Sequence, residues 1–258
     1  MPPHVKVSNI HKLVKGLGLV INGAVVALAI GFTEKKQSER TCQSIDIQVI
    51  GEKQRFIEAH EVLYQLTNQH EIPIRGIATK DIVTRKIENF IKSHNFVKEA
   101  VVYKNWKGKL KVKIIPRRPI ARIIHSDCKD RYIDEAGKQL PLSDKYTARV
   151  VVVSGINWGS SGEELTNSTY ETAIVKLLHF IDRNPLWRAQ IVQIYIDKKG
   201  EISMDTQIGK HVIVLGKPEN IKNKFAKLKL FYEKVLPSKG WNKYKQINLK
   251  FDNQVVCE

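Results

Sequence analysis

Residue types that carry catalysis or bind metals occur in this chain, but not at the spacings that such chemistry requires. The segment Gly159-Ser160-Ser161-Gly162 lacks the GxSxG spacing of a nucleophile elbow, and His125 and Cys128 lack the second ligand pair of a zinc site. The acid pairs Asp134-Glu135 and Glu163-Glu164 adjoin turn residues, where carboxylates are usually solvated. HExxH, CxxC, P-loop and GxGxxG motifs are absent from the sequence. The sequence therefore predicts no catalytic residue, no metal site, no cofactor and no small-molecule substrate.

The spacing of the cysteines and the net charge of the chain indicate which classes of partner it could bind. The three cysteines, Cys42, Cys128 and Cys257, are an odd number at wide separations, so we interpret them as incidental thiols. The formal net charge of +17 favours acidic partners in general, including nucleic acid, anionic lipid and acidic polymers. Lysines are spread along the chain instead of forming one basic block, which is typical of solvated faces. We therefore expect no nucleic-acid partner.

The first secondary-structure element that the sequence predicts is an apolar segment near the N-terminus. Residues 1–15 contain three lysines and no acid, and residues 16–32 contain Asn22 as their only polar side chain. A helix of that length, at ~1.5 Å per residue, just crosses a hydrocarbon core of roughly 30 Å. This pattern predicts a single transmembrane helix with a short cytoplasmic tail. A cleavable signal peptide is the alternative, because small residues flank Leu28 in Ala27-Leu28-Ala29.

The next part of the chain predicts a compact α+β module. Periodicity of apolar residues indicates a strand, two helices and a hairpin of two further strands, which together would place both helices on one face of a three-stranded sheet. The module should end near Pro116, because proline removes a donor from the strand ladder. The predicted elements are strands 45–50, 97–103 and 110–115 and helices 60–69 and 79–91.

The remaining residues predict a second, larger domain of mixed antiparallel strands with helices. Alternating apolar residues indicate short strands, and two one-sided apolar stripes indicate long helices. The predicted strands are 120–125, 131–134, 140–141, 148–154, 191–196, 202–205, 211–215 and 244–251, and the predicted helices are 169–183 and 218–236.

Several segments, in this order and spacing, resemble the FtsQ/DivIB family of bacterial division proteins. Residues 97–106 (VKEAVVYKNW), 110–114 (LKVKI) and 117–121 (RRPIA) resemble the end of that family's polypeptide-transport-associated (POTRA) domain and the crossing into its β-domain. Further segments resemble landmarks of the β-domain: 132–137 (YIDEAG), 140–141 (LP), 152–155 (VVSG), 214–216 (VLG) and 247–251 (INLKF).

The resemblance implies an α+β organisation in five parts. These are a cytoplasmic tail (1–15), a transmembrane helix (16–32), a linker (33–43), a POTRA-like domain (44–117) and an FtsQ-type β-domain (118–258). It further implies a non-catalytic, single-pass protein of the inner membrane, located at the division septum with its bulk outside the cytoplasm. Its expected partners are FtsB-like and FtsL-like proteins and other membrane proteins of the divisome.

The resemblance also implies a partner-binding site near the last strand. A terminal strand with a free edge can accept a strand from another protein through backbone hydrogen bonds. We expect Phe251 to be the anchor, with alternation placing Leu249 on the same face and Lys250 on the other. The predicted contact residues are Tyr244, Lys245, Lys250, Phe251, Asp252 and Asn253.

Two other functional classes remain compatible with the residues themselves. One is an exported carrier or enzyme that has lost a cleavable signal peptide. The other is a membrane-tethered nucleic-acid binder, whose affinity for DNA would fall steeply with salt.

Overall fold

The computed structural model describes residues 21–28, 41–51, 56–68, 76–105, 107–125, 129–155 and 169–258. The chain divides into two compact units, and each is described by itself. A three-stranded sheet forms the centre of the first unit, and a nine-stranded sheet forms the centre of the second.

The predicted transmembrane helix 16–32 is described only in part. Residues 21–28 are helical, with exposed apolar side chains such as Val25 and Leu28, and the remainder of the prediction lies outside the described residues, as does the tail 1–15. Within the ranges given above, no helix is both long enough and apolar enough to span a bilayer.

The first unit has the predicted three-stranded sheet, in which β3 lies between β1 and β2. Strands β1 and β3 run parallel, with Ile45 opposite Leu110 and Ile47 opposite Val112. Alternate residues of β3 are buried, which places one face of the sheet in the core. The elements are β1 (Ser44–Val49), α1 (Ala59–Asn68), a 3-10 turn (Thr79–Asp81), α2 (Thr84–Lys92), β2 (Val97–Lys104) and β3 (Lys109–Pro116).

The predicted helix 79–91 is wrong at its start. The chain forms a 3-10 turn over Thr79–Asp81, becomes extended at Ile82 (φ −76°, ψ 112°), and begins α2 only at Thr84. This break leaves Val83 exposed while Ile82 is only 5% exposed. Burial of Ile82 therefore outweighs the weaker preference of these residues for one continuous helix, since most helical stability comes from tertiary packing.

The second unit is a mixed sheet of nine strands in the order β12-β11-β10-β9-β8-β7-β4-β5-β6. Three neighbouring pairs are parallel, namely β4 with β7, β7 with β8, and β10 with β11. Parallel neighbours need crossover connections. Helices lie in the crossovers from β7 to β8 and from β10 to β11, whereas strands β5 and β6 connect β4 to β7. The strands are β4 (Pro119–Ile123), β5 (Arg131–Asp134), β6 (Gln139–Pro141), β7 (Val151–Ser154), β8 (Ile191–Ile196), β9 (Ile202–Thr206), β10 (Val212–Gly216), β11 (Gln246–Asn248) and β12 (Val256–Cys257).

Helices supply the apolar stripes that fill the core of this unit. The helix predicted over 169–183 is confirmed, and its buried residues include Ile174, Leu177 and Leu178. The predicted helix 218–236 is shorter than expected and is followed by a separate turn of helix. The helices are α3 (Thr169–Arg183), α4 (Pro185–Gln190), α5 (Ile221–Lys234) and α6 (Leu236–Lys239).

Helix α4 was not predicted from the sequence. It follows α3 directly and is capped by Asn184, whose side chain accepts a hydrogen bond from the backbone N–H of Leu186 at 3.0 Å. Pro185 occupies its first turn, where a missing N–H costs nothing. The helix places Trp187 in the core, 5.1 Å from the ring of Phe225.

The two outermost strands of this sheet differ in how well they could pair with another strand. Strand β6 has three residues and ends in Pro141, which pairs with Arg131 and has no N–H to offer. Proline on an edge strand opposes further strand addition. At the opposite end of the sheet, β12 contains no proline.

Two arginines at the start of β4 hold the acidic residues that follow β5. Arg117 donates to Asp134 at 2.7 Å, and Arg118 donates to Glu135 at 2.7 Å. Arg118 also makes a bidentate contact with Asp182 of α3, at 2.9 and 2.5 Å. The carboxylates Asp134 and Glu135 are therefore bound by guanidinium groups and do not form a free acid pair.

We expect Arg118→Met to lower the free energy of unfolding by about 1–3 kcal/mol, because the carboxylate of Asp182 stays largely buried without its partner. Because Arg118 is partly exposed to solvent, the expected loss is smaller than for a fully buried ion pair. Denaturant unfolding would measure the change. Arg122→Met is the matched control, because its partner Asp130 is more exposed than Asp182. An equal loss in both variants would contradict this assignment.

The buried side chain of His211 should make the free energy of unfolding depend on pH. His211 is 2% exposed, its Nε2 lies 2.7 Å from the hydroxyl of Tyr232, and burial lowers its pKa. The imidazole of His211 therefore binds a proton more readily in the unfolded chain than in the folded protein. The free energy of unfolding should thus decrease as the pH falls below about 6.5, the ordinary pKa of histidine. In His211→Gln, the free energy of unfolding should depend less on pH in this range. Identical pH profiles for the two proteins would refute this prediction.

Candidate partner-binding site

The predicted last strand, 244–251, contains an observed strand but is too long, and it is not the last strand. Strand β11 covers only Gln246–Asn248, and a further strand, β12, follows it and pairs antiparallel with it. Ile247 lies opposite Cys257, and Asn248 lies opposite Val256. The predicted contact residues thus fall into two groups at opposite ends of β11. Tyr244 and Lys245 precede this strand, whereas Lys250, Phe251, Asp252 and Asn253 form the turn that leads into β12.

The expected alternation of side chains across Leu249, Lys250 and Phe251 is also wrong, because the strand has already ended at Asn248. Leu249 is fully buried, whereas Phe251 is 45% exposed. Phe251 therefore does not belong to the core. An exposed aromatic ring on a turn is available for contact with another molecule.

Hydrogen bonds from both sides hold this turn. The backbone N–H of Lys250 donates to the side-chain oxygen of Asn248 at 3.0 Å. The ammonium group of Lys227, on α5, donates to the carbonyl oxygens of Phe251 and Gln254. Asn253 has a φ of 59°, a left-handed conformation that asparagine tolerates better than most residues. The turn is thus tied to α5 and has a defined shape.

The side chain of Lys250 extends from the turn across the end of β10. Its ammonium group lies 3.1 Å from Glu201, and its stem passes over Gly216. A Cβ at Gly216 would lie 2.7 Å from Cγ of Lys250, and Gly216 has a φ of +74°. Both the contact and the backbone conformation therefore require glycine at this position.

A second lysine of α5 supports the same end of the sheet. The ammonium group of Lys224 donates to the carbonyl oxygens of Leu215 and Lys217, both at 2.9 Å. Burial lowers the pKa of Lys224, and nearby acidic residues offset only part of that effect. Lys224 thus connects α5 to the end of β10, and Lys227 connects it to the turn between β11 and β12.

At the other end of β11, Tyr244 and Lys245 have different surroundings. The ring of Tyr244 is half-buried and lies 5.6 Å from the ring of Phe231, so much of it contributes to packing. Lys245 has an exposed side chain, and its backbone N–H donates to the carbonyl oxygen of Glu258 at 2.6 Å.

The free edge of the sheet belongs to β12 and not to β11. Gln246 and Glu258 exchange both backbone hydrogen bonds, each at 3.1 Å. Since such pairs alternate along an antiparallel ladder, the N–H and C=O of Cys257 point away from β11. In the part of the chain that the structure describes, no strand pairs with this outer edge. An incoming strand could therefore form backbone hydrogen bonds with Cys257.

The other candidate residues for chemistry do not assemble into a site. Cys128 and residues 159–164 lie outside the described residues. Among the residues that are described, no group of three His, Cys, Asp or Glu side chains could hold a metal ion. His125 is buried, and Asp134 and Glu135 are bound by arginines.

Comparisons with known proteins cover the unit that contains this turn and edge. Residues 118–258, more than half of the chain, match the family model described as FtsQ/DivIB, C-terminal related. The chain belongs to the FtsQ/DivIB family. Residues 40–115 match a POTRA-like domain, and the chain is 24% identical over 188 residues to the cell division protein FtsQ of Salinibacter ruber. That similarity covers 70% of this chain and 72% of its relative.

The FtsQ/DivIB match extends over the whole β11–β12 hairpin, including a strand that sequence reasoning missed. Strand β12 has two residues, and its apolar run Val255-Val256-Cys257 follows the turn residues Asp252 and Asn253. A turn between two alternating runs is a hairpin signal and could have located β12. The alternating pattern over residues 244–251 predicts one terminal strand and so leaves no strand after the turn.

We expect Lys227→Met to loosen the turn without unfolding the protein. Methionine retains the aliphatic stem but removes the donor to Phe251 and Gln254, at a cost of about 0.5–1.5 kcal/mol. Amide hydrogen exchange over residues 250–257 should become faster. Lys229→Met is the matched control, because Lys229 lies on the same helix and pairs only weakly with Glu233, at 3.7 Å. Equal exchange rates in both variants would contradict the role of Lys227.

Proposed function

We propose that this protein is a non-catalytic, bitopic membrane scaffold of the bacterial division septum. Family membership supports the proposal, as does the similarity to the cell division protein FtsQ of Salinibacter ruber. In this proposal residues 16–32 span the inner membrane once, the short N-terminus is cytoplasmic, and the rest of the chain lies outside the cytoplasm. The protein then works through contacts with other proteins and not through chemistry on a substrate.

The observation that carries the proposal is the outer edge of β12, together with the exposed ring of Phe251 in the turn that precedes this strand. The outward backbone groups of Cys257 can pair with an extended segment of a partner, which is strand addition. Val256 is 36% exposed and offers a side-chain contact next to that edge. Backbone pairing supplies affinity, and the side chains of the turn supply selectivity.

The partners that we propose for this edge are FtsB-like and FtsL-like proteins, with other divisome membrane proteins as further contacts. A short strand has a small interface, so its affinity depends strongly on an anchor residue. An aromatic side chain in a desolvated pocket commonly fills that role, and its loss typically costs above ~2 kcal/mol. Phe251 is the exposed aromatic residue closest to the edge in sequence.

Strand addition can be tested at one position with two substitutions. Cys257→Pro removes the outward N–H of β12, whereas Cys257→Val keeps it and preserves an apolar side chain. We expect the full-length protein in detergent to bind the extracytoplasmic segment of the FtsB-like protein of the same cell. Proline should weaken this binding by at least about tenfold, and valine should change it little. Equal binding by the two variants would exclude strand addition at this edge.

Two further variants test the turn itself. Phe251→Ala removes the proposed anchor, and Asn253→Lys places a larger, charged side chain on the left-handed residue of the turn. Each should weaken binding by about tenfold or more in a protein that unfolds at the wild-type temperature. If the wild-type protein does not bind the FtsB-like segment at all, the assignment of this edge is wrong. An exported carrier with a cleaved signal peptide would then become the better hypothesis.

A further inference from the structure

Charge is unevenly distributed along the part of the chain that forms the nine-stranded sheet. Residues 118–197 contain ten basic and ten acidic side chains, whereas residues 198–258 contain thirteen lysines, no arginine and six acidic side chains. The second group forms β9 to β12, together with α5 and α6. The excess of positive charge therefore belongs to the end of the sheet where β12 is the outermost strand.

Lysines stand at both ends of the β11–β12 hairpin. Before β11 come Lys243 and Lys245, both exposed, and the backbone N–H of Lys245 binds the carbonyl of Glu258. After β11 come Lys250 and the ammonium group of Lys227, which binds carbonyls of the turn. The lysines thus flank β11, the strand that carries β12, on both sides.

Most of this charge is not neutralised within the protein. Lys250 is paired with Glu201, at 3.1 Å. Among the described residues, no carboxylate lies within ion-pair distance of Lys243, Lys245 or Lys227. Lys227 donates to backbone carbonyl oxygens, which hold the ammonium group in place but leave its full charge.

We propose that these lysines select an acidic partner segment: a short strand that carries carboxylates on both sides of an apolar centre. The proposal rests on the proposed function of β12 as a docking edge. The apolar centre would lie beside Val256, and the carboxylates would lie near Lys243 and Lys245 at one end and near Lys227 at the other. Lysines act as flexible point charges, so they accept carboxylates in a range of positions where arginine would impose a fixed geometry.

This charge arrangement has kinetic and equilibrium consequences. Complementary charges steer the encounter and raise the association rate, and the effect falls as salt screens the field. The Debye length is about 10 Å at 0.1 M ionic strength, so added salt separates this contribution from backbone pairing. Binding of an acidic strand should therefore weaken with salt, whereas binding of a neutral strand should not.

The test uses two synthetic peptides of about ten residues, each with the same alternating valine and threonine centre. One carries glutamates at both ends, and its twin carries lysines there. Both are titrated into the full-length protein in detergent at low and high salt, and the amide signals of Val256 and Cys257 are followed by NMR. We expect the acidic peptide to bind at least about tenfold more tightly than its twin at low salt, and to lose most of that preference at high salt.

Paired charge reversals locate the effect. In Lys243→Glu/Lys245→Glu the preference for the acidic peptide should fall by about tenfold or reverse. The control is Lys129→Glu/Lys176→Glu, which makes the same change in net charge at exposed lysines of residues 118–197 and should keep the preference. Equal binding of the two peptides, or an equal effect of both double variants, would overturn the proposal.

Binding to anionic lipid vesicles tests whether these lysines serve a membrane surface instead of a partner strand. If the Lys243→Glu/Lys245→Glu protein loses vesicle binding but keeps its preference for the acidic peptide, these lysines serve a lipid surface and the proposal is wrong. A different result would contradict the proposed function. In that case the wild-type protein would bind the acidic peptide at β12 but would not bind the FtsB-like segment.

Discussion

Parallel pairing of β11 with β10 determines where the free edge of the nine-stranded sheet lies. The pair joins Val212 to Gln246 and Val214 to Asn248, and the crossover between the two strands includes α5 and α6. Ile247 and Leu249 are fully buried in the core beneath this pairing. Since β12 has only two residues and pairs with β11 alone, it depends on β11 for its position. Burial of Ile247 in β11 and of Leu249 directly after it thus supports an edge that lies outside the core.

Helix α5 contributes to this edge through two faces. Its apolar face places Phe225, Leu228 and Phe231 in the core, as the helical spacing of the sequence predicts. Its lysines reach past the strand ends to backbone carbonyls, where Lys224 supports β10 and Lys227 supports the turn before β12. Lysine stems pack along apolar surface while their charged ends reach polar partners, which allows one helix to combine these roles. Helix α5 therefore contributes both to the shape of the turn and, through Lys227, to the charge around it.

Sequence patterns were reliable where local periodicity and burial agree. The long helix Thr169–Arg183 and the strand Ile191–Ile196 were predicted with their observed bounds, because each presents a continuous apolar stripe. The short strand Arg131–Asp134 was also predicted with its observed bounds, whereas the short strands at the C-terminal end were not. The ends of β11, and β12 itself, are determined by pairing with neighbours distant in sequence, and strand preference depends strongly on such context. The turn residues of the candidate site were identified by family resemblance, but their exposure and their anchoring by Lys227 required the three-dimensional structure.

The asymmetry between the two outer strands limits how many partners the sheet can hold. Strand β6 is short and ends in Pro141, whereas β12 offers outward backbone groups at Cys257. A sheet with two receptive edges can propagate, because each added strand or copy creates the next site, and open-ended filaments follow from such head-to-tail contacts. A sheet with one receptive edge cannot propagate through copies of itself, because a contact between two such edges leaves no further receptive edge on either copy. Edge chemistry thus favours a one-to-one complex at this site and opposes stacking of copies through their sheets.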